Sequence, residues 1–458
     1  MDTLHAPSTI GVLMTEPTNL GRREFVKWSA AGVIAGRVVM QPPGVRRDDR
    51  IRGANDRVVV ALIGSGRQGV SDLGNAIKQP DTEVAAICDV YAPNLAKGLQ
   101  AAPSAKSYTD FRRVLERKDI DAVIIATPDH WHPLQTVLAC EAGKDVYVEK
   151  PISVSIAEGR KMVEAARRHQ RIVQTGTQQR SGKHFQQAAE LVKSGRIGTV
   201  SQVRTWNFGN ESPEGIGNPP DSAPPPELDW EMWLGPAPKR PFNPNRFGVS
   251  PDRWSSFRWF WDYAGGMMTD WGVHWLDIVQ LVMGVDAPRF VSTSGGKFVL
   301  KDNRETPDTI LATFQYPGFV CTYENRVTNA APISGKTNGM LFHGTEGTLF
   351  VDRQGLEIFP ETRKTGETTL TRTEPLKVEN SNQHHLDHMK DFIECVRSRK
   401  TPIADIETGH RSTTTALLGN IAYRTGHRIE WDRASERIVG DAAASAHLMR
   451  SYRRPWKL

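Results

Sequence analysis

Short, continuous apolar runs alternate with helical patterns through the first third of the chain. The runs at 58–63, 84–88, 122–126 and 146–148 are rich in β-branched residues and are bounded by glycine or polar residues. Runs of this kind are typical of parallel strands that are buried on both faces. Because helical patterns separate them, the pattern predicts an α/β domain built on a parallel sheet.

The second half has a different pattern. Between residues 290 and 359, apolar and polar positions alternate, as in 309–316 and 348–351, which predicts the strands of an open sheet. Two helical segments are predicted near 385–399 and 407–425. The chain is therefore predicted to have two domains, a size that its 458 residues allow.

Composition and charge exclude several classes of protein. The hydrophobic fraction of 38% and the charged fraction of 24% are ordinary for a globular protein. Lys and Arg exceed Asp and Glu by six, and half of that excess lies in the first 47 residues, so no basic stripe suited to nucleic acid is present. The four cysteines are scattered, with neither metal-site nor disulfide spacing.

The first 45 residues have the features of a targeting segment. Residues 21–36 read GRREFVKWSAAGVIAG, with paired arginines followed by a short stretch of small and apolar residues. This resembles a twin-arginine signal, whose passengers are exported already folded. A disordered basic N-terminus is the alternative. The export reading predicts a periplasmic protein with no stable membrane insertion after export.

A glycine-rich loop, GSGRQG at 64–69, follows the first predicted strand and opens a predicted helix. Asp89 ends the next strand, twenty residues after the last of these glycines. Glycines let a backbone approach a pyrophosphate, and a carboxylate at this distance accepts ribose hydroxyls. The loop therefore predicts dinucleotide binding. Val90 and Tyr91 provide no cation for a 2′-phosphate, so NAD is favoured over NADP.

Two further strand ends bear polar residues that could act in chemistry. The third strand runs into TPDHWH at 127–132, where His130 and His132 either touch cofactor or substrate or cap the following helix. The fourth runs into Glu149–Lys150–Pro151. A lysine at a strand end beside a nucleotide cleft can hold and polarise the oxygen of an alcohol that exchanges a hydride.

Residues 211–251 are rich in proline and are predicted to lack helices and strands, as in a lid or a subunit arm. Tryptophan is dense nearby, and these rings suit either a carbohydrate groove or core packing and an interface. Seven of the twelve tryptophans fall in this region: Trp230, Trp233, Trp254, Trp259, Trp261, Trp271 and Trp275.

The segment 265–277 reads GGMMTDWGVHWLD. A separation of four residues places Asp270 and His274 on one helical face, with Asp277 one turn beyond. A carboxylate in that position can orient an imidazole and raise its basicity, although a helix cap and a structural histidine would give the same spacing. The cluster His384, His385 and His388 is interpreted as a solvated helix start and not as a metal site, so no metal is predicted.

Taken together, these motifs resemble the Gfo/Idh/MocA oxidoreductase family over about residues 57 to 425. The resemblance implies an N-terminal Rossmann domain and a C-terminal α/β domain with a large, mostly antiparallel open sheet, which often forms a homodimer or homotetramer interface. The predicted parts are an export signal and linker at 1–45, a Rossmann domain at 46–175, a substrate and oligomerisation domain at 176–435 and a tail at 436–458.

The resemblance also implies roles for individual residues. Lys150 would bind the reacting hydroxyl, His274 would be the acid or base, and Asp270 its partner or a substrate ligand. Trp259 and Trp271 are further candidates for substrate binding. Residues and resemblance together assign eleven positions to the cofactor: Gly64, Gly66, Arg67, Gln68, Gly69, Asp89, Thr127, Pro128, His132, Glu149 and Lys150.

The predicted function is NAD-dependent oxidation or reduction at a hydroxyl of a sugar, polyol or glycoside. Because the periplasm has no free NAD pool, export favours a tightly bound cofactor that is not consumed. The alternatives are an NAD-dependent glycosidase or lyase that oxidises a ring hydroxyl transiently, and a non-catalytic sensor on the same fold.

Overall fold

A computed structural model describes residues 57–249 and 254–458. The predicted export signal at 1–45 lies outside the described residues. Within those residues, none of the helices combines the length and apolar character needed to cross a membrane.

The first sheet confirms the predicted parallel, Rossmann-type architecture. Its strands are β1 (Val58–Ile63), β2 (Thr82–Cys88), β3 (Lys106–Tyr108), β4 (Ala122–Ile125), β5 (Asp145–Val148) and β6 (Val173–Thr175). They are parallel in the order β3-β2-β1-β4-β5-β6. Strands β4 and β5 are buried throughout, which explains their continuous apolar runs.

Helices cover both faces of this sheet. They are α1 (Arg67–Ile77), α2 (Ala92–Ala101), α3 (Phe111–Glu116), α4 (His132–Glu141) and α5 (Ile156–Arg168). Helix α3 begins after Asp110, whose carboxylate accepts a hydrogen bond from the Arg112 amide at 3.0 Å. Such a cap satisfies one of the amides that a helix leaves free at its start.

The second sheet has ten described strands. They are β7 (Val200–Phe208), β8 (Phe290–Gly296), β9 (Thr309–Tyr316), β10 (Phe319–Arg326), β11 (Asn338–Gly344), β12 (Gly347–Asp352), β13 (Gly355–Pro360), β16 (Leu376–Glu379), β17 (Ile429–Asp432) and β18 (Arg437–Ile438). Strands β14 (Thr362–Thr365) and β15 (Thr368–Thr371) form a separate hairpin. The order is β16-β13-β12-β11-β7-β10-β9-β8-β17-β18, with β7 and β10 parallel and the other described pairs antiparallel. This confirms the predicted sheet.

The helices of the second half are α6 (Lys183–Lys193), α7 (Trp230–Leu234), α8 (Pro244–Phe247), α9 (Gly266–Asp270), α10 (Gly272–Met283), α11 (His384–Ser398), α12 (Ile406–Thr425) and α13 (Ala442–Ser445). Helices α10 and α12 bury apolar side chains in the same core as the second sheet. Helix α11 instead packs Phe392 and Ile393 against the first sheet, beside Val60 and Leu62. The two sheets are therefore joined by helices that belong to the second half of the sequence.

The proline-rich segment at 211–251 differs from its prediction, because α7 and α8 form within it. Its main chain docks on the loop after β2. The Ala92 amide donates to the Glu227 carbonyl at 3.0 Å, and the Asp229 amide donates to the Val90 carbonyl at 3.0 Å. The segment is thus held against the edge of the first domain where Asp89 lies.

The C-terminal tail also packs back onto the first domain. Arg450 pairs with the fully buried Glu158 at 2.7 Å, and the Trp456 ring lies 4.9 Å from that of Trp131. The basic composition of the tail did not predict this docking, since the sequence gives no periodicity that would indicate a buried face.

Candidate active site

A cavity of about 590 Å³ lies at the carboxyl ends of β1, β2, β4 and β5. This is the position at which open α/β sheets bind ligands. Thirteen of the predicted site residues line it: Gly64, Gly66, Arg67, Gln68, Asp89, Thr127, Pro128, His132, Glu149, Lys150, Asp270, Trp271 and His274. Gly69 and Trp259 do not line the cavity.

The glycines of the loop have two different roles, one in the packing of the loop and one in leaving room for a ligand. Gly64 has a φ of +90°, and a Cβ on Gly69 would lie 1.9 Å from the Gly64 carbonyl oxygen, so both positions serve the packing of the loop. Gly66 has an ordinary φ of −67°, and the nearest atom to a Cβ there is 3.9 Å away on Asn94. Since the protein itself leaves room at Gly66, the free space fits a ligand that approaches the backbone closely.

Asp89 lies beside the glycine cradle and lines the same cavity. Its carboxylate accepts hydrogen bonds from the Ser65 amide at 2.8 Å and the Tyr91 amide at 2.9 Å. Burial raises the pKa of Asp89 to about 6, against these hydrogen bonds. Val90 also lines the cavity and is uncharged. The glycine cradle and the carboxylate therefore fit the dinucleotide that the fold implies.

His132 lies between the segments that follow β4 and β5 and is within hydrogen-bond distance of both. Its ring nitrogens lie 2.7 Å from the Pro151 carbonyl oxygen and 2.8 Å from the Thr127 carbonyl oxygen. Burial lowers its pKa to about 4, so the ring is neutral at physiological pH and donates to one carbonyl at a time. His130 is fully buried against the Trp233 carbonyl and does not reach the cavity.

Glu149 is held by Gln178, which was not predicted to be a site residue. Gln178 donates from Nε2 to Oε1 of Glu149 at 2.7 Å, and the Lys150 amide donates to the other oxygen at 3.2 Å. Burial raises the pKa of Glu149 to about 7. Gln178 follows β6, whose carboxyl end reaches the same edge of the sheet, and this topological position was the signal that could have identified it.

Lys150 is fixed by a single residue of the second domain. Its Nζ donates to Oδ1 of Asp270 at 2.8 Å and to the Asp270 carbonyl oxygen at 3.0 Å. The other carboxylate oxygen of Asp270 accepts from Arg258. Burial would raise the pKa of Asp270, but Arg258 and Lys150 outweigh burial and hold it well below its usual range. Asp270 is therefore a carboxylate that positions two cations at the cavity.

The predicted pairing of Asp270 with His274 is wrong. Asp270 directs its two carboxylate oxygens to Lys150 and Arg258 instead. Asp277 is buried in an ion pair with Arg180 at 2.8 Å. The backbone stays helical at Trp271, between α9 and α10, so the pairing is prevented by these competing cations and not by the spacing.

His274 nevertheless lines the cavity. It is buried, and its Nδ1 has no hydrogen-bond partner among the described residues. Burial, together with the nearby charges of Lys150 and Arg353, lowers the pKa of His274 well below its usual value. A neutral imidazole with an unengaged nitrogen can accept a proton.

Some of the tryptophans pack in a core, and others line the cavity. Trp259 is 5% exposed and packs in an aromatic core with Arg304 at 4.5 Å, so its assignment to substrate binding is wrong. Trp230 and Trp233 stack in the same core at 4.7 Å, and Trp233 also lines the cavity. Trp271 lines the cavity as predicted. The half-exposed Trp254 lines it too and stacks on Arg67 at 4.4 Å.

The histidine cluster is not the solvated helix start that was predicted. His388 is fully buried, with Nε2 2.8 Å from the Thr175 carbonyl and Nδ1 2.8 Å from the Ser181 hydroxyl. His385 lines the cavity, as do Asp129, Arg258 and Arg353, and none of these four was predicted to be a site residue. Among residues 57–249 and 254–458, no group of His, Cys, Asp or Glu could hold a metal ion.

A Rossmann-type sheet with a glycine cradle, an acid after β2 and a lysine across the cleft defines an NAD-binding α/β protein. Two family models match the chain: an oxidoreductase family with an NAD-binding Rossmann fold at residues 58–177, and the C-terminal α/β domain of that family at 184–383 and 376–458. The chain belongs to the Gfo/Idh/MocA oxidoreductase family, and its cofactor is NAD.

Relatives of several kinds are similar to this chain. A myo-inositol 2-dehydrogenase of Thermotoga maritima is 23% identical, over 80% of this chain and 95% of its own. A glycosyl hydrolase family 109 protein of Stenotrophomonas maltophilia is 32% identical, over 30% of this chain and 31% of its own. The chain spans less than half the length of several curated relatives that it matches.

One solved structure illustrates the shared fold. The WlbA dehydrogenase from Bordetella pertussis, in complex with NADH and UDP-GlcNAcA, matches with a TM-score of 0.62 and 19% identity, over 82% of this chain and 99% of that one. At this identity the likeness establishes the fold alone.

Proposed function

We propose that this protein is an NAD-dependent oxidoreductase that acts on a hydroxyl of a sugar, polyol or glycoside. The observation that carries the proposal is the Lys150 ammonium, which Asp270 holds at the wall of the cavity that also contains the glycine cradle. An ammonium has three donors, and two of them are used by Asp270. The third is left for the oxygen of a substrate.

Lys150 and His274 have different roles in the proposed transfer of the hydroxyl proton. Lys150 is a donor and binds the substrate oxygen, and its charge favours the alkoxide form of that oxygen. The hydroxyl proton passes to the neutral ring of His274, which lines the cavity. NAD, when bound, supplies the acceptor for the hydride of the carbinol carbon. Asp270 keeps the ammonium in position throughout.

The test is absorbance of reduced nicotinamide after free sugars, polyols and glycosides are added to the protein as purified, first without and then with NAD. Reduction in either case is expected. Lys150→Ala should abolish it while the nucleotide stays bound, and the control Lys183→Ala, at an exposed lysine outside the cavity, should behave as wild type. Turnover by Lys150→Ala would overturn the assignment.

Retention of the cofactor during export is part of the proposal. The docking of residues 227–229 on the loop beside Asp89 supports tight binding, because it places the proline-rich segment at the ribose end of the cleft. Reduction that stops at about one equivalent per subunit without added NAD is expected.

The export part of the proposal has its own test. Replacement of Arg22 and Arg23 by lysine should leave the protein in the cytoplasm. Fractionation that finds this variant in the periplasm would contradict twin-arginine export.

The glycosidase alternative is favoured by one observation, the similarity to a glycosyl hydrolase family 109 protein. Release of p-nitrophenol from nitrophenyl glycosides without net reduction of NAD would establish it.

A homodimer or homotetramer is also proposed, through the second sheet, where Leu311 and Val320 are exposed. Light scattering that finds a monomer would exclude this assembly.

A further inference from the structure

One wall of the cavity is lined by nitrogen donors that the proposed reaction does not use. Arg353 lies in the tight turn between β12 and β13, and His385 lies in the first turn of α11. Both line the cavity. The guanidinium of Arg353 stacks on the Trp271 ring at 4.6 Å, and Trp271 lies three residues before His274, with 5.9 Å between the centres of the two rings.

Arg353 is partly buried without an anionic partner. It makes no ion pair with the residues that the structure describes, and its Nε is buried without a hydrogen-bond partner. The buried arginines elsewhere in the second domain are paired: Arg180 with Asp277 at 2.8 Å, and Arg304 with Asp302 at 2.8 Å. Burial of a guanidinium is unfavourable unless an anion accepts its hydrogen bonds.

The two carboxylates whose charge acts on Arg353, Asp270 and Glu149, are already engaged. Asp270 accepts from Lys150 and Arg258, and Glu149 accepts from Gln178 and the Lys150 amide. One further nitrogen near Arg353 lacks a partner in the described structure, Nε2 of His384. The acceptor that this wall needs is therefore absent from the described protein, and a ligand in the cavity can supply it.

We propose that Arg353, assisted by His385, binds a carboxylate of the substrate, so that the substrate class is acidic sugars such as uronic or aldonic acids. This inference rests on the proposed function. A planar guanidinium matches the two oxygens of a carboxylate. A phosphate dianion would call for a second cation. The other cations that line the cavity are Lys150 and Arg258, which share Asp270, and Arg67, which begins α1 at the glycine cradle.

The site is separate from the pyrophosphate cradle. Gly66 begins α1 in the first domain, whereas Arg353 belongs to the second sheet and contacts Trp271 beside His274. A substrate whose carboxylate pairs with Arg353 would be fixed at one end by the second domain. Its reacting hydroxyl would be held at Lys150.

The experiment compares full-length wild type, Arg353→Gln and Arg353→Lys on three matched pairs: glucuronate with glucose, galacturonate with galactose, and mannuronate with mannose. Wild type should prefer the acid of at least one pair, and Arg353→Gln should reduce that preference in kcat/KM roughly 10- to 100-fold. Arg353→Lys should retain part of it. The control is Arg289→Gln, which removes an exposed arginine stacked on Phe290 at 5.0 Å, and it should retain the full preference.

A binding measurement separates this inference from the proposed function. Quenching of tryptophan fluorescence by the uronates should be seen in wild type and lost in Arg353→Gln. If no sugar reduces NAD but this quenching is found, the proposed function fails and the carboxylate subsite stands. If neutral sugars are oxidised with the same kcat/KM as the matched acids, the carboxylate assignment is overturned and the oxidoreductase stands. The same conclusion follows if glucose 6-phosphate is preferred to glucuronate. Uronate binding that Arg353→Gln leaves unchanged also overturns it.

Discussion

Asp270 holds Lys150 through two different oxygens, its carboxylate Oδ1 at 2.8 Å and its own carbonyl at 3.0 Å. The lysine comes from the end of β5 in the first domain, and the aspartate comes from the end of α9 in the second. The contact therefore joins the two domains at the cavity and fixes the direction of the ammonium. It also explains why Asp270 is not free to orient His274.

Asp270→Asn should destabilise the protein by about 2–4 kcal/mol, because it leaves the cations of Lys150 and Arg258 close together without a counter-charge. The free energy of unfolding in urea measures this. A matched control is Asp262→Asn, which breaks an ion pair with the half-exposed Arg240 and should cost less than about 1 kcal/mol. Equal losses of unfolding free energy in the two variants would mean that the Lys150–Asp270 contact contributes no more stability than an exposed ion pair.

Two alanine substitutions in the glycine loop should separate folding from cofactor binding. Gly66→Ala introduces a Cβ that meets nothing closer than 3.9 Å, so the free energy of unfolding should be nearly unchanged while NAD affinity falls about 10-fold or more. Gly69→Ala places its Cβ 1.9 Å from the Gly64 carbonyl oxygen and should destabilise the fold by more than about 2 kcal/mol. Calorimetry of NAD binding and thermal unfolding give the two readouts. Unchanged NAD affinity in Gly66→Ala would contradict the cradle.

The first domain could be predicted closely because its signals are local. The run at 58–63, the glycine loop and Asp89 each depend on neighbours in sequence, and the parallel sheet follows from fully buried strands. The contacts of Lys150, Gln178 and Arg353 could not be predicted in this way. Their partners lie on distant elements, and Arg353 occupies a turn between two strands, where the local pattern indicates only a hairpin.

The error at Asp270 and His274 has the same origin. The spacing rule considers only residues of one helix, but Lys150 and Arg258, which lie outside that helix, occupy the two carboxylate oxygens of Asp270. Lys150 reaches Asp270 from the end of β5, 120 residues earlier in the chain. Sequence spacing had no information about these contacts.

NAD affinity should weaken as the pH falls through about 6. Burial raises the pKa of Asp89 to about 6 from its ordinary 3.8, so the free protein increasingly carries a neutral carboxyl below that pH. A neutral carboxyl is a poorer acceptor for ribose hydroxyls, and binding near pH 6 should therefore release protons. In the nucleotide-free protein, the sign for stability follows from the raised pKa: the contribution of Asp89 is present below about pH 4 and is lost as the pH rises through about 6.

Calorimetry of NAD binding to nucleotide-free protein at pH 5, 6 and 7, in buffers of different ionisation enthalpy, measures both the affinity and the released protons. The matched variant is Asp89→Asn, which should bind NAD more weakly and lose the pH dependence between 5 and 7. A wild-type affinity that is flat over this range would show that Asp89 does not contact the ribose.

Trp259 and Trp271 lie twelve residues apart, and their substitution should have opposite consequences. Trp259 is 5% exposed and packs against Arg304, so Trp259→Ala should destabilise the protein by about 3–5 kcal/mol, with little change in the KM of the folded fraction. Trp271 lines the cavity and supports Arg353, so Trp271→Ala should raise the KM for substrate about 10-fold with a smaller loss of stability. Steady-state kinetics and urea unfolding of both variants make the comparison. A Trp259 variant with the larger effect on KM would restore the substrate groove that the sequence pattern suggested.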